Sequence, residues 1–248
     1  MSGDIRRPLS ASDRLIVALD FPTEQDALSL VDLLFPEVKM FKIGLELFVA
    51  CGPSVVSRVR EKGAEVFLDL KFNDIPNTMK RAVSCAVRLG ADIISIHLSV
   101  GRQGIEAAVE GLEEASRAIG KKSMLAGVTV LTSLGGGQEG DPQGKILDRV
   151  LRLSRLAREC GVEGIITSVK EASEVRKALG GDRVIITPGI RLFRSPDDHK
   201  RSGSVRDAII AGSDYLVVGR PITRASDPRE EARKFLREIR GLDSIDLD

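Results

Sequence analysis

The sequence has few of the side chains that build disulfide frameworks, zinc sites and histidine-based active sites. Its cysteines are Cys51, Cys85 and Cys160, which are far apart and form no C-x-x-C motif. This odd number and wide spacing disfavour a disulfide framework and a zinc site, and they predict a reducing, cytoplasmic location. Its histidines are His97 and His199, so a Ser-His-Asp triad or a histidine-ligated metal centre has little support.

An excess of one charge and long apolar runs are also missing. Lysine and arginine number 37 and aspartate and glutamate 36, which gives a formal net charge of +1. This balance gives no electrostatic case for binding nucleic acid or an anionic membrane. No run approaches the roughly 18 apolar residues of a membrane span, and residues 1–13 lack the apolar core of a signal peptide. We therefore expect an unexported chain with no nucleic-acid or membrane partner.

What the sequence does contain is a repeated alternation of short apolar runs and helical patterns. Its 248 residues suit a single α/β barrel domain. The joint from helix to strand recurs as glycine, a small or apolar residue and an acid, beginning at Gly63, Gly90, Gly161 and Gly212. Because glycine tolerates the left-handed conformation that ends many helices, we predict a helix end at each joint, directly before a strand.

Eight strands are predicted, mostly rich in β-branched residues or leucine, as expected of strands covered on both faces. They are Leu15–Leu19, Met40–Ile43, Val66–Leu70, Ile93–His97, Leu125–Val130, Gly164–Thr167, Val184–Thr187 and Tyr215–Val218. The predicted helices are Gln25–Leu34, Pro53–Lys62, Asn77–Leu89, Arg102–Ala118, Ile146–Cys160, Val169–Leu179, Val205–Ala211 and Pro228–Arg240. Eight such units favour a (β/α)₈ TIM barrel over the alternative, an open doubly wound sheet. We predict one barrel domain over residues 14–240, between tails of residues 1–13 and 241–248.

The carboxyl end of every predicted strand carries a polar or glycine-containing group. These groups are Asp20, Lys42, Asp69 with Lys71, His97, Thr132, Ser168, Pro188-Gly189 and Gly219-Arg220. A barrel gathers all eight carboxyl ends at one mouth, where such folds build active sites, whereas an open sheet would spread them along an edge. The placement strengthens the barrel prediction.

The most informative segment is residues 67–78, where Asp69, Lys71 and Asp74 follow an apolar strand as D-x-K-x-x-D. Asp69 and Lys71 should share one strand face, because successive side chains alternate. Lys42 and Asp20 end two earlier strands and should point into the same mouth. Opposite charges about 4 Å apart attract by roughly 4 kcal/mol at an effective dielectric near 20, so such a cluster can stay ionised and preorganised for a charged transition state. The alternative is an ion-pair network that only stabilises the fold.

Two further motifs, T-P-G-I-R at 187–191 and V-G-R at 218–220, follow the last two strands. The corresponding loops of such barrels commonly bind phosphate, glycines let backbone N–H groups approach an anion, and arginine offers planar donors. Together these motifs predict a phosphorylated small-molecule ligand, although turn glycines and surface arginines are the alternative for either motif alone. Residues 192–204 and 133–144 are long polar segments that we interpret as lids, with functionless linkers as the alternative.

In combination, these motifs resemble the orotidine 5′-phosphate decarboxylase family. The matching segments are D-L-K-F-N-D-I-P-N-T at 69–78, A-L-D at 18–20, K-I-G at 42–44, T-P-G-I-R at 187–191 and V-G-R at 218–220. The resemblance covers about residues 14–240. It implies a homodimeric (β/α)₈ barrel that converts orotidine 5′-monophosphate to UMP and carbon dioxide without a metal or organic cofactor.

The resemblance also implies a role for each matching residue. Lys71 would protonate C6 of the pyrimidine, Asp69 would lie beside the departing carboxylate, and Lys42 and Asp74 would complete a set of four charged side chains. The remaining assignments concern binding: Asp74, Ile75 and Thr78 donated to the neighbouring subunit's site, Asp20 and Lys42 to the ribose, Thr132 to the pyrimidine, Arg191, Gly219 and Arg220 to the phosphate, and Pro188 and His199 to the substrate.

The sequence departs from the family pattern at His199, where the family usually has the glutamine that links phosphate and pyrimidine. An imidazole side chain is shorter than that of glutamine and titrates near neutral pH. We therefore expect the Michaelis constant for the substrate to depend on pH in the range from about 6 to 8. Two other functions fit the same barrel. One is a magnesium-dependent phosphosugar decarboxylase or aldolase, although a lysine between two aspartates disfavours a hard-cation site. The other is a non-catalytic nucleotide-binding barrel.

Overall fold

The computed structural model describes residues 9–131, 143–192 and 203–243, which form a closed barrel of eight parallel strands. The strands are Leu15–Ala18, Met40–Gly44, Glu65–Phe72, Ile93–His97, Met124–Val128, Gly164–Ile166, Val184–Pro188 and Tyr215–Val218. Strands adjacent in this order lie side by side, and the first closes the barrel against the last, with Leu15 opposite Leu216. The predicted (β/α)₈ barrel is confirmed.

All eight predicted helices are present, with ends that differ by a few residues from the prediction. They are Glu24–Leu34, Ser54–Glu61, Pro76–Arg88, Gly101–Ile119, Gln143–Glu159, Val169–Leu179, Val205–Ile210 and Pro228–Asp243. The sequence analysis missed the short helices Ala11–Arg14, Leu45–Cys51 and Arg220–Thr223, the 3₁₀ turn Leu98–Val100, and a pair of two-residue strands, Ile190–Arg191 and Gly203–Ser204. Elements this short do not span enough turns or residues to show a hydrophobic period.

Both ends of the described chain pack against the barrel. The helix Ala11–Arg14 begins with a capping box between Ser10 and Asp13, and Ala11 is buried. Arg14 donates to the backbone carbonyls of Ser213 and Asp214 and pairs with Asp243. The barrel's contacts therefore include residues 11–13 and 241–243, which lie inside the predicted tails.

The core has two layers, because each strand buries both faces. Inside the barrel, Ile16 and Phe67 belong to one buried cluster. Their chain neighbours Leu15 and Leu68 belong to the larger cluster between strands and helices. Burial on both sides explains why the strand sequences are nearly continuous apolar runs.

Within the described part of the chain, no helix is both long and apolar enough to cross a membrane.

The four predicted glycine joints are confirmed. Gly63, Gly90, Gly161 and Gly212 have φ angles of 85°, 97°, 86° and 85°, in the left-handed region where a β-carbon would be strained. In two joints the acid that follows bonds to the neighbouring strand: Asp92 Oδ2 accepts from the Val66 N–H at 2.8 Å, and Asp214 Oδ2 accepts from the Ile185 N–H at 2.6 Å.

Cations complete these contacts at the amino end of the barrel. Arg60 Nη1 lies 2.8 Å from Asp92 Oδ2, and Lys121 Nζ lies 2.9 Å from Asp92 Oδ1. Arg176 Nη2 lies 2.6 Å from Asp214 Oδ2, and the Arg176 guanidinium also donates to three backbone carbonyls, those of Gly180, Arg183 and Gly212. We call Arg60, Asp92, Lys121, Arg176 and Asp214 the amino-end network.

Candidate active site

Four charged side chains from the ends of three adjacent strands meet at the carboxyl end of the barrel. Lys42 Nζ lies 3.2 Å from Asp20 Oδ1 and 3.7 Å from Asp69 Oδ2. Lys71 Nζ lies 2.8 Å from the same Asp69 oxygen. We call Asp20, Lys42, Asp69 and Lys71 the charge array. The predicted convergence of these four charges is confirmed; their roles stay predictions.

The charge array is graded from a buried inner part to an open outer part. The side chains of Asp69 and Lys42 are 11% and 12% exposed, whereas those of Lys71 and Asp20 are 33% and 51% exposed. A carboxylate as buried as Asp69 needs compensation, which the two ammonium groups supply. The outer members remain accessible to a ligand that enters the mouth.

Ser95, in the fourth strand, is a site residue that the sequence analysis missed. Its hydroxyl donates to Asp69 Oδ1 at 2.9 Å and accepts from the Lys71 backbone N–H at 2.8 Å. The pairing register shifts here, since Leu68 lies opposite Ile94 but Phe72 lies opposite Ile96. The sequence signal was slight: a single hydroxyl in the apolar strand Ile93–His97.

Lys71 itself has a φ of 52°, which is uncommon for a residue other than glycine. The third strand alternates regularly at its start, where Val66 and Leu68 lie in the outer core layer and Phe67 between them lies in the inner one. This alternation is interrupted in the segment that carries the charges. The ammonium reaches Asp69 through an irregular backbone rather than through simple two-residue spacing.

Asp74, Ile75 and Thr78 follow the third strand and are exposed in the single chain. Asp74 Oδ1 accepts from the Ile75 N–H at 2.6 Å, and among the described residues it has no ion pair with the charge array. The chain turns outward here, because Pro76 begins the next helix with Ile75 at its N-cap. The structure thus brings together Asp69 and Lys71 of the D-x-K-x-x-D motif but not Asp74.

Glycine motifs lie at the ends of the last two strands. Gly189 has a φ of 78° and is followed by the two-residue ladder in which Ile190 lies opposite Gly203 and Arg191 opposite Ser204. This ladder joins the two ends of the segment predicted to be a lid.

The second motif is adjacent to the charge array. A β-carbon at Gly219 would lie 3.6 Å from Asp20 Oδ2, so backbone and carboxylate approach each other closely there. Pro188 is partly buried at the end of the seventh strand, and Arg220 is exposed. Thr132 and His199 lie outside the described residues.

A family model described as "Orotidine 5'-phosphate decarboxylase / HUMPS family" matches residues 13–235. The chain belongs to this family. A relative from Moorella thermoacetica named orotidine 5′-phosphate decarboxylase is 41% identical over 93% of this chain and 94% of its own. One of the same name from Pseudomonas aeruginosa is 44% identical over 91% of this chain and 97% of its own.

Solved structures agree with this assignment. The crystal structure of orotidine 5′-phosphate decarboxylase from Lactobacillus acidophilus has a TM-score of 0.79 and 32% identity, covering 91% of this chain and 98% of that one. The resemblance found in the sequence motifs is confirmed at the level of family and fold.

His97 lies at the end of the fourth strand, and one nitrogen of its ring is engaged in a hydrogen bond. Its Nδ1 accepts from the Ser99 N–H at 3.2 Å. Burial, with the nearby cations Arg149 and Lys71, lowers the pKa of His97. A half-buried ring whose Nδ1 already accepts a hydrogen bond fits the role of a satisfied polar group of the core.

The carboxylates of Asp20 and Asp69 form ion pairs with lysine ammonium groups instead of clustering as metal ligands. Within residues 9–131, 143–192 and 203–243, no group of three or more His, Cys, Asp or Glu side chains is arranged to hold a metal ion. The buried Asp69 instead lies between the ammonium groups of Lys42 and Lys71, which compete with a hard cation for its oxygens.

Proposed function

We propose that this chain decarboxylates orotidine 5′-monophosphate to UMP and carbon dioxide, the last step of de novo UMP biosynthesis, without a metal or organic cofactor. The observation that carries the proposal is the accessible Lys71 ammonium held 2.8 Å from the buried Asp69 carboxylate. Relatives that are 41% and 44% identical over nearly the whole chain bear the name of this enzyme.

The reaction requires an environment that favours negative charge on carbon. Loss of carbon dioxide leaves a carbanion at C6 with no adjacent carbonyl to delocalise it, so the unassisted barrier is very high. In our proposal the Lys71 ammonium stabilises the negative charge that develops on C6 and then protonates this carbon, while Asp69 faces the departing carboxylate. Because the groups are already oriented, they need little reorganisation during the reaction. Accelerations of about 10¹⁷-fold correspond to roughly 23 kcal/mol.

The other site residues would bind the parts of the substrate that do not react. We assign Asp20 and Lys42 to the ribose. The remaining assignments are Thr132 to the pyrimidine, Arg191, Gly219 and Arg220 to the phosphate, and Pro188 and His199 to the substrate from the adjoining loop. Binding energy from the distant phosphate can drive closure over the reacting ring, so loss of these contacts should lower turnover as well as affinity.

We further propose that the active form is a homodimer in which Asp74, Ile75 and Thr78 reach the neighbouring site. Exposed apolar side chains support this arrangement: Ile75 is 67% exposed, and Leu45 and Val49 of the helix after the second strand are 55% and 79% exposed. Large exposed apolar groups favour burial against a partner. The cytoplasmic location expected from the cysteine pattern stays a prediction.

The activity is tested by following the ultraviolet absorbance of orotidine 5′-monophosphate mixed with purified protein in excess EDTA. We expect rapid loss of substrate absorbance, and no loss with Lys71→Ala. Turnover that stops in EDTA would instead favour a magnesium-dependent enzyme. Binding of UMP without turnover would favour a non-catalytic nucleotide-binding barrel.

The shared site is tested by mixing two inactive variants, Lys71→Ala and Asp74→Ala, and allowing subunits to exchange. If Asp74 acts across the interface, each mixed dimer contains one site with both residues intact, and the mixture should regain about a quarter of wild-type activity. If Asp74 acts within its own chain, neither site of a mixed dimer is intact and no activity returns.

A further inference from the structure

The side chain of Ser95 joins the two residues that our proposal places at the reacting carbon. Its hydroxyl bonds to the Asp69 carboxylate at 2.9 Å and to the Lys71 backbone N–H at 2.8 Å. Ser95 is fully buried. The donor and the acceptor capacity of one hydroxyl are thus both used on the charge array.

Lys71 needs such a contact because its backbone is in an unfavourable conformation. A left-handed φ is unfavourable for a residue with a β-carbon, and Lys71 has a φ of 52°. The register shift between Leu68 and Phe72 removes the regular strand ladder at this point, so the Ser95 oxygen takes the place of a ladder carbonyl for the Lys71 N–H. An unpaired buried N–H would add a further cost.

Asp69 has a matching requirement. Its Oδ2 faces both ammonium groups, and its Oδ1 receives the Ser95 hydroxyl. The hydroxyl therefore fixes the plane of the carboxylate, and with it the direction from which Lys71 approaches. An error of about 1 Å in such groups can lower a rate about 100-fold.

We propose that Ser95 is a positioning residue for the decarboxylation, which sets the relative placement of the Lys71 ammonium and the Asp69 carboxylate through one hydroxyl. This inference rests on the proposed function. It predicts an effect on the chemical step rather than on binding, because the residues assigned to ribose and phosphate lie on other strands.

The test compares Ser95→Ala with Ser95→Thr, which keeps the hydroxyl, and with the control Ser123→Ala. Ser123 is also buried, but its hydroxyl bonds to the Ala91 carbonyl at the other end of the barrel. We expect Ser95→Ala to lower kcat by about 10- to 100-fold. The KM and the affinity for UMP should stay within about threefold of wild type, since a positioning role leaves uniform binding intact. Ser95→Thr should recover most of the kcat, and Ser123→Ala should keep all of it.

A second measurement reports on the backbone directly. Amide hydrogen exchange at Lys71 should be faster in Ser95→Ala than in wild type and unchanged in Ser123→Ala. If Ser95→Ala does not fold, Ser95→Cys retains the shape with a weaker donor and acceptor and should give an intermediate kcat.

The outcomes separate this inference from the proposed function. An inactive wild type would overturn the function itself. An active wild type with an equally active Ser95→Ala variant would overturn the role of Ser95. So would an equal loss of kcat in Ser95→Ala and Ser95→Thr, or a raised KM with unchanged kcat, because neither pattern follows from a positioning hydroxyl.

Discussion

Each end of the barrel holds a carboxylate between two cations, half-buried at Asp92 and buried at Asp69, but the cations have different surroundings. At the amino end, Asp92 lies between Arg60 and Lys121, and both cations also donate to backbone carbonyls, those of Ala64 and Gly90. At the carboxyl end, Asp69 lies between Lys42 and Lys71.

Within the described residues, the ammonium groups of Lys42 and Lys71 do not donate to a backbone carbonyl. The amino-end network is therefore occupied with holding strands together, whereas the charge array keeps donors for a ligand. We therefore expect the amino-end network to serve stability and the charge array to serve the proposed chemistry, in line with the usual division of labour in such barrels.

The largest effect should come from removing matched lysines at the two ends. Lys71→Ala should lower kcat/KM by at least about 10⁴-fold, because it removes both a proton donor and an electrostatic contribution. Lys121→Ala breaks an equivalent pair, with Asp92, and should leave kcat/KM within about twofold of wild type. Steady-state kinetics of both variants provides the comparison; comparable activity losses would show that the two ends are not functionally distinct.

Arg176→Ala, at the amino end, should lower stability and leave activity unchanged. It removes a guanidinium that bonds to Asp214 and to three carbonyls, leaving a partly buried carboxylate uncompensated. We expect a loss of about 2–4 kcal/mol in the free energy of unfolding. Urea denaturation measures this loss, and kcat measured under native conditions should be unchanged. A fall in kcat with unchanged stability would contradict the division between the two ends.

A smaller effect concerns the pH dependence of stability at the carboxyl end. The folded-state pKa of His97 is lowered, mainly by burial and then by Arg149 and Lys71, so the unfolded chain takes up this proton first. Stability should therefore decline as the pH falls from the unfolded value of 6.5 through the lower folded value. The difference in unfolding free energy between wild type and His97→Asn, measured at several pH values, should change in this window. A constant difference would contradict the assignment.

The smallest effect is a gain in stability on acidification at the amino end of the barrel, opposite in sign to the loss expected from His97. Burial, followed by the charges of Asp92 and Asp13, raises the pKa of Glu65. As the pH falls through that raised value towards the ordinary 4.5, the folded chain binds the proton first and gains stability. Glu65→Gln should be slightly more stable than wild type near neutral pH, and this advantage should shrink on acidification. Thermal unfolding of both proteins at pH 7 and near pH 5 measures this stability advantage; an advantage of Glu65→Gln that grows on acidification would refute the prediction.

The features that repeat along the chain were the ones that the sequence predicted well. The joints at Gly63, Gly90, Gly161 and Gly212 precede four of the eight barrel strands, so much of the barrel follows from one local pattern that repeats. Once the barrel is predicted, its parallel strands place all carboxyl ends at one mouth, and the convergence of Asp20, Lys42, Asp69 and Lys71 follows from topology.

The features that depend on one particular pairing were not predicted. The Ser95 hydroxyl bonds to the Lys71 N–H where the register between the third and fourth strands shifts. No pattern in either strand alone indicates that shift. The position of Asp74 likewise depends on the turn before Pro76, and its proposed partner is in another copy of the chain. Single-chain sequence spacing cannot distinguish a group that joins its own site from one that reaches a neighbour's.

Because Lys71 has a left-handed backbone and a proposed catalytic role, we expect selection for activity and selection for stability to favour different residues at this position. Glycine adopts such a φ without the roughly 1–2 kcal/mol that a β-carbon costs. Between two inactive variants, Lys71→Gly should therefore be easier to fold than Lys71→Ala. A library selected only for folding should enrich glycine at position 71, whereas a library selected for growth without uracil should return lysine.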